Sequence, residues 1–216
     1  YTLDNLLEIA FVTITPVYLI NGKEKNGGEA DRYELRDNDR VVWVAYETGW
    51  KFPGSVVSEN IDSLSVDWVN VNNVKSENDI RATSDLFGKH SDYIKTGNFD
   101  FGVPAGSRIT GIQVEVNRVV STAMSDYQVR IVKSNGVVGN QEKKKLDNWE
   151  VLIDESIFYP AININNDLWG EIWNVGDINS INFGFAFSAT HPEILVAQST
   201  AQVDYIRMKV HYSVLE

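Results

Sequence analysis

The chain is organised around the stretch from Phe99 to Val119, where Ile112, Val114 and Val116 alternate strictly with Gln113, Glu115 and Asn117. Period two over this length predicts a strand with one face on a core and the other in water. Pro104 and Gly106, just upstream, predict a tight turn: proline fixes φ and glycine supplies positive φ without a Cβ clash. The same alternation returns near the end, with Ile206, Met208, Val210 and Tyr212 inward and Arg207, Lys209 and His211 outward. Phe183, Phe185 and Phe187 alternate with small residues, and Tyr127, Val129 and Ile131 predict a strand over 126–133. Shorter strands are expected at 41–46, 66–71, 93–101 and 149–153. Residues 163–177 read as loop with one helical turn. No segment sustains a 3.6-residue apolar period. About seven or eight short strands separated by turn signals predict an all-β chain, an antiparallel β-sandwich of jelly-roll type. Ile112, Val114, Val116, Phe183, Phe185, Ile206, Met208 and Val210 are expected to be buried together between facing sheets.

The pattern changes along the chain. Residues 55–63 are mostly polar and suggest a boundary, with an N-terminal β-rich extension at 1–63 and the sandwich at 64–216. The extension carries an uncharged run from Ile9 to Ile20, interrupted by Pro16, followed by a loop holding Gly22, Gly27 and Gly28. An apolar segment of this kind is an aggregation hazard unless something covers it. Phe11, Val12, Val17, Tyr18 and Leu19 are therefore candidate assembly contacts. Deleting residues 1–20 is expected to leave the sandwich folded but to abolish assembly.

Composition narrows the function classes. The 216 residues contain no cysteine, which removes disulfides, thiolate metal sites and cysteine nucleophiles. The net charge of −11 makes the chain a poor binder of nucleic acid, because phosphate affinity comes mainly from Lys and Arg. Lys143-Lys144-Lys145 reads as a solvated hairpin tip. No apolar run approaches the roughly 20 residues of a membrane helix, so membrane insertion is not expected.

Candidate chemistry is sparse. His90, His191 and His211 have no mutual spacing that would aim two rings at one metal. Asp37-Asn38-Asp39 lacks the glycine and glutamate of an EF-type loop. Asn163-Ile164-Asn165-Asn166-Asp167 suggests side chains bonding their own backbone as Asx turns. There is no Gly-x-Ser-x-Gly and no glycine loop leading into a helix. The many carboxylates leave a glycosidase-type pair open, since such a pair is defined by its separation across a cleft. No catalytic residue, metal or cofactor is expected. Six tryptophans invite a sugar-binding reading. Trp169 and Trp173 are the candidate ligand-facing aromatics, although a core or lid role is the favoured reading for them.

Several motifs occur in a characteristic order. Trp68-Val69-Asn70 and Asn78-Asp79 come first, then Phe101-Gly102-Val103-Pro104-Ala105-Gly106 running into the strand through Val116. Asp167-Leu168-Trp169-Gly170 with Trp173 follows, then Ile178-Asn179 and Phe183-Gly184, and finally Val203-Asp204-Tyr205 opening the last strand. Over residues 64–213 this series resembles a jelly-roll module of virion proteins from tailed bacteriophages. The resemblance implies a non-enzymatic virion structural protein, assembled in the bacterial cytoplasm and displayed on the particle surface. Capsid decoration or a head fibre is narrowly preferred to a tail role. Other virion proteins and copies of itself are the implied partners, with a host surface glycan as a further candidate. The alternative is a carbohydrate- or receptor-binding module of a tail fibre or secreted protein.

Overall fold

The computed structural model describes residues 43–192 and 197–215. The candidate assembly contacts Phe11, Val12, Val17, Tyr18 and Leu19 lie outside the described residues, as does Asp37-Asn38-Asp39. Nine strands are found in the described part: β1 (Trp43–Glu47), β2 (Ser55–Glu59), β3 (Ala82–Leu86), β4 (Tyr93–Gly97), β5 (Arg108–Val120), β6 (Ser125–Val132), β7 (Glu155–Tyr159), β8 (Gly184–Thr190) and β9 (Ser199–Leu215). One short helix, α1 (Val175–Ile178), and a 3-10 turn at Val71–Lys75 complete the regular structure. The protein is an all-β antiparallel sandwich. One sheet has the order β1-β9-β5-β7, with β3 also on β9, and the other has the order β2-β4-β8-β6.

A jelly roll has eight strands in two sheets. The orders β3-β9-β5-β7 and β4-β8-β6 supply seven of its places. Beside β6, where an eighth strand would lie, runs the irregular segment 138–143. Gly139 N donates to Ile131 O at 2.8 Å and Lys143 N to Val129 O at 2.9 Å. That segment forms no regular strand, so the sandwich is the architecture these strands define.

The alternating rows form the core. All eight residues expected there are fully buried and belong to one cluster. Two bulges keep the inward rows in phase. On β5 Thr110 is the extra residue, since Ile109 pairs with Tyr212 and Gly111 with His211. On β9 it is Asp204, since Tyr205 pairs with Asn117 and Val203 with Arg118. The inward row of β5 therefore continues past Val116 to Arg118 and Val120.

Several expectations are corrected. The boundary at 63/64 does not divide the described residues, because β1 pairs with β9 and β2 with β4, adding one strand to each sheet. Segment 66–71 makes only isolated bridges, Val66 to Ser91 and Val69 to Thr83. Segment 149–153 is likewise not a strand, and its place beside β5 is taken by β7. The outer row of β5 is not in water. Gln113 is 1% exposed and Glu115 3%. Glu115 accepts from Tyr205 OH at 2.8 Å and from Arg207 Nε at 2.7 Å, beneath side chains that cross the sheet face. Burial pushes the Tyr205 phenol up to about 12, so it stays a donor.

Candidate functional site

The resemblance motifs make specific contacts that hold the fold. The Pro104 turn closes with Ser107 N donating to Pro104 O at 3.3 Å, and Gly106 sits at φ +82°. Asn179 clamps it: Val103 N donates to Asn179 Oδ1 at 3.0 Å, and Asn179 Nδ2 donates to Val103 O at 2.8 Å. Asn174 and Asp177 form a capping box on α1. Trp68 Nε1 donates to Asp92 O at 2.9 Å. Asn78 N donates to Asp204 Oδ1 at 3.4 Å, and Asn78 Oδ1 accepts from Ile80 N at 3.0 Å.

The candidate ligand-facing aromatics do not form a platform. Trp169 is fully buried, its Nε1 donating to Ile112 O at 3.1 Å and its ring meeting Phe185 edge-on at 6.0 Å. Its φ of +57° and that of Gly170, +68°, fold the chain back so the indole plugs the core. Trp173 is half-buried, edge-on to Phe183 at 5.1 Å, with Nε1 donating to Leu168 O at 2.9 Å. Trp43, Trp68 and Trp149 are buried too. Trp50 lies on the outer sheet face with Lys209 Nζ 4.9 Å and Arg207 Cζ 5.5 Å from its ring centre. A core or lid role is what the packing gives Trp169 and Trp173, because both indoles meet phenylalanines of β8 and its approach.

The lysine run is a strap rather than a hairpin tip. Lys143 Nζ is 2.5 Å from Asp167 Oδ2, and Lys145 N donates to Asp126 Oδ2 at 2.9 Å. Asp126 belongs to a buried ionic group absent from the sequence reading. Arg118 is the charged residue on the inward row of β5, and a bulge at Tyr127 turns Asp126 of β6 toward it. Arg118 Nη1 bonds Asp126 Oδ1 and Tyr159 OH, and Arg118 Nε donates to Glu155 Oε1 at 2.8 Å. Trp149 Nε1 donates to Asp126 Oδ1 at 2.9 Å and Tyr159 OH to Asp126 Oδ2 at 2.6 Å. Burial, and then the Asp126 carboxylate, drive the Tyr159 phenol well above its ordinary range. The Asp126 carboxylate at its centre is satisfied at both oxygens from within the sandwich. Its capacity is structural.

A concave feature with unengaged polar groups lies on the outer face of the five-stranded sheet. A cleft of about 410 Å³ lies between β1 and the loop 161–167, over the outer row of β5 and β9. Gln113 and His211 form its floor; Glu47, Lys209 and the asparagines of the loop stand around them. Gln113 Nε2 donates to Ile162 O at 3.0 Å and Ile164 O at 2.9 Å, which turns its Oε1 toward His211 Nε2, 3.0 Å away. An amide oxygen only accepts, so Nε2 carries the ring proton and Nδ1 is an acceptor. Burial and then the Lys209 ammonium lower the His211 pKa; Glu47 opposes this from 3.8 Å but is itself held by Lys209 Nζ at 3.0 Å. The ring is neutral at neutral pH.

The other histidines remain apart. His191 is buried and its Nδ1 accepts from Gly88 N at 3.2 Å. His90 stacks on Tyr127 with ring centres 4.2 Å apart. Among the described residues no group of three or more His, Asp or Glu is placed to hold a metal ion, and no helix is long and apolar enough to cross a membrane. Comparison of the chain with protein-family models, curated proteins and solved structures found no match.

Proposed function

We propose that the chain is a non-enzymatic structural protein of a tailed-phage particle, a capsid decoration or head-fibre protein presenting an acidic sandwich on the virion surface. Its partners are other virion proteins and copies of itself. The observation that carries this reading is the use made of the resemblance motifs. Trp68, Asn78, Gly106, Asp167, Trp169, Asn179 and Asp204 each close or brace a turn or fill the core. A series of motifs that encodes a scaffold and no reaction suits a part whose task is to be displayed. The charge of −11 suits a soluble outward knob that repels its neighbours except through a specific contact.

Peptide mass spectrometry of purified particles, from cells that encode the chain, tests the reading. Peptides from residues 43–215 are expected in the particle fraction. Many copies per particle place the chain on the capsid, and a few place it at the tail or a vertex. Absence from the particles overturns the proposal, as does turnover of a glycan or peptide by the purified protein that one carboxylate substitution abolishes.

A further inference from the structure

The loop 161–167 combines a pinned backbone with unengaged side chains. Ile112 N donates to Asp167 O at 2.9 Å, and Gln113 holds the carbonyls of Ile162 and Ile164. The loop lies so close to β5 that a Cβ on Gly111 would stand 2.0 Å from Asn165 O. Asp167 forms the expected Asx turn, its Oδ1 accepting from Trp169 N at 2.7 Å. Asn163, Asn165 and Asn166 form none: among the described residues no hydrogen bond engages their side-chain amides, and all three are exposed along the cleft. Rigid backbone under free amides is a preorganised recognition surface, because binding need not order the loop.

The chemistry of the cleft selects its ligand. Glu47 and Lys209 neutralise one another and the imidazole is uncharged, so the lining has no net charge to attract an anion or a cation. His211 Nδ1 and Glu47 Oε2 are two acceptors 3.8 Å apart, a gap suited to a group that brings protons. The asparagine amides opposite offer donors and acceptors side by side. A hydroxyl both donates and accepts, so an array of hydroxyls matches this lining. The volume falls within the roughly 300–1,000 Å³ of small-molecule sites.

We propose that the cleft between β1 and the loop 161–167 binds a neutral polyhydroxylated ligand, a pyranose of a glycan, through the amides of Asn163, Asn165 and Asn166 and the acceptor pair His211 Nδ1 and Glu47. This is a different place from the tryptophans that first suggested sugar binding. It does not depend on where in a particle the chain resides.

The test is an NMR titration of the full chain, isotope-labelled, with the methyl glycosides of glucose, galactose, mannose and N-acetylglucosamine. Inorganic phosphate and N-acetylneuraminic acid are the anionic comparators. At least one neutral glycoside is expected to move the side-chain amide signals of the loop asparagines saturably, with a Kd on the order of 1 mM. Asn166→Ala and Asn165→Ala, on exposed positions, are each expected to weaken binding by roughly tenfold with an unchanged thermal midpoint. The proposal fails if none of the four glycosides shifts these signals saturably, if an anionic comparator binds the cleft more tightly, or if both substitutions leave the affinity unchanged. Copy number in particles is read separately, so this failure and failure of the structural role are distinguishable.

Discussion

Strand β5 serves two polar regions that differ in one respect. On its inner side Arg118 enters a group in which Asp126 receives bonds at both oxygens, from Arg118, Trp149, Tyr159 and the backbone of Lys145. On its outer side Gln113 anchors a cleft whose rim amides have no protein partner among the described residues and whose two facing acceptors have no proton between them. Both regions are built from side chains that are nearly inaccessible at their base. The first has its central carboxylate satisfied from within the fold, so that carboxylate contributes to folding. The second leaves hydrogen-bonding capacity over, and that capacity faces a cavity. Polar satisfaction separates structural polar groups from recognition groups more sharply than burial or residue type does.

The largest effect is expected at the closed region. Arg118→Met leaves the Asp126 carboxylate buried without its cation and should cost about 3–5 kcal/mol of stability. Arg118→Met with Asp126→Leu should be more stable than either single variant, because the isolated charge is gone; urea unfolding of the three proteins measures this. A comparable loss, about 3–5 kcal/mol, is expected for Phe185→Ala, since Phe185 packs between Trp169, Tyr159 and Phe187. Gly111→Ala acts on the open region through the backbone. The new Cβ collides with Asn165 O and pushes the loop off β5. A cost of about 1–3 kcal/mol and loss of the loop-amide shifts on glycoside titration are expected.

The smallest effect is on pH dependence. The unfolded His211 takes up its proton at the ordinary 6.5 and the folded one only at lower pH. In that window the unfolded chain binds more protons, so stability falls as pH drops below 6.5. The Glu47 carboxylate opposes burial and the Lys209 ammonium, so the effect is small. Thermal midpoints of the wild-type protein and His211→Gln from neutral to mildly acidic pH should converge as the pH falls, since the variant lacks this proton uptake.

The core rows were legible because period two survives wherever one face is buried. Ile112, Val114 and Val116 could be placed from spacing alone, and so could Ile206, Met208 and Val210. Continuing the first row by two residues also puts Arg118 inside, a signal present in the sequence although an arginine is rarely buried without a partner. Its partner was not legible. Asp126 reaches the interior through a bulge at Tyr127, and a bulge depends on the facing strand. The pairing of β1 with β9 joins residues far apart in the sequence, Trp43 with Leu215 among them, and no local pattern announces such a contact. The Asn-rich loop was visible as composition. What makes it a cleft wall, the close approach over Gly111 and the reach of Gln113, is tertiary. A glycine inside a strand pattern is the one local hint of such an approach.

The contrast between the closed and open regions is tested most directly by a paired measurement on two variants, Arg118→Met and Asn166→Ala. Each is unfolded in urea and, under native conditions, titrated with the methyl glycoside that binds the wild-type chain. Arg118→Met should lose stability and keep the wild-type glycoside affinity while folded. Asn166→Ala should keep its stability to within about 0.5 kcal/mol and lose affinity by roughly tenfold. If Asn166→Ala instead destabilises the fold as much as Arg118→Met does, the loop amides are structural and the distinction between the two regions is contradicted.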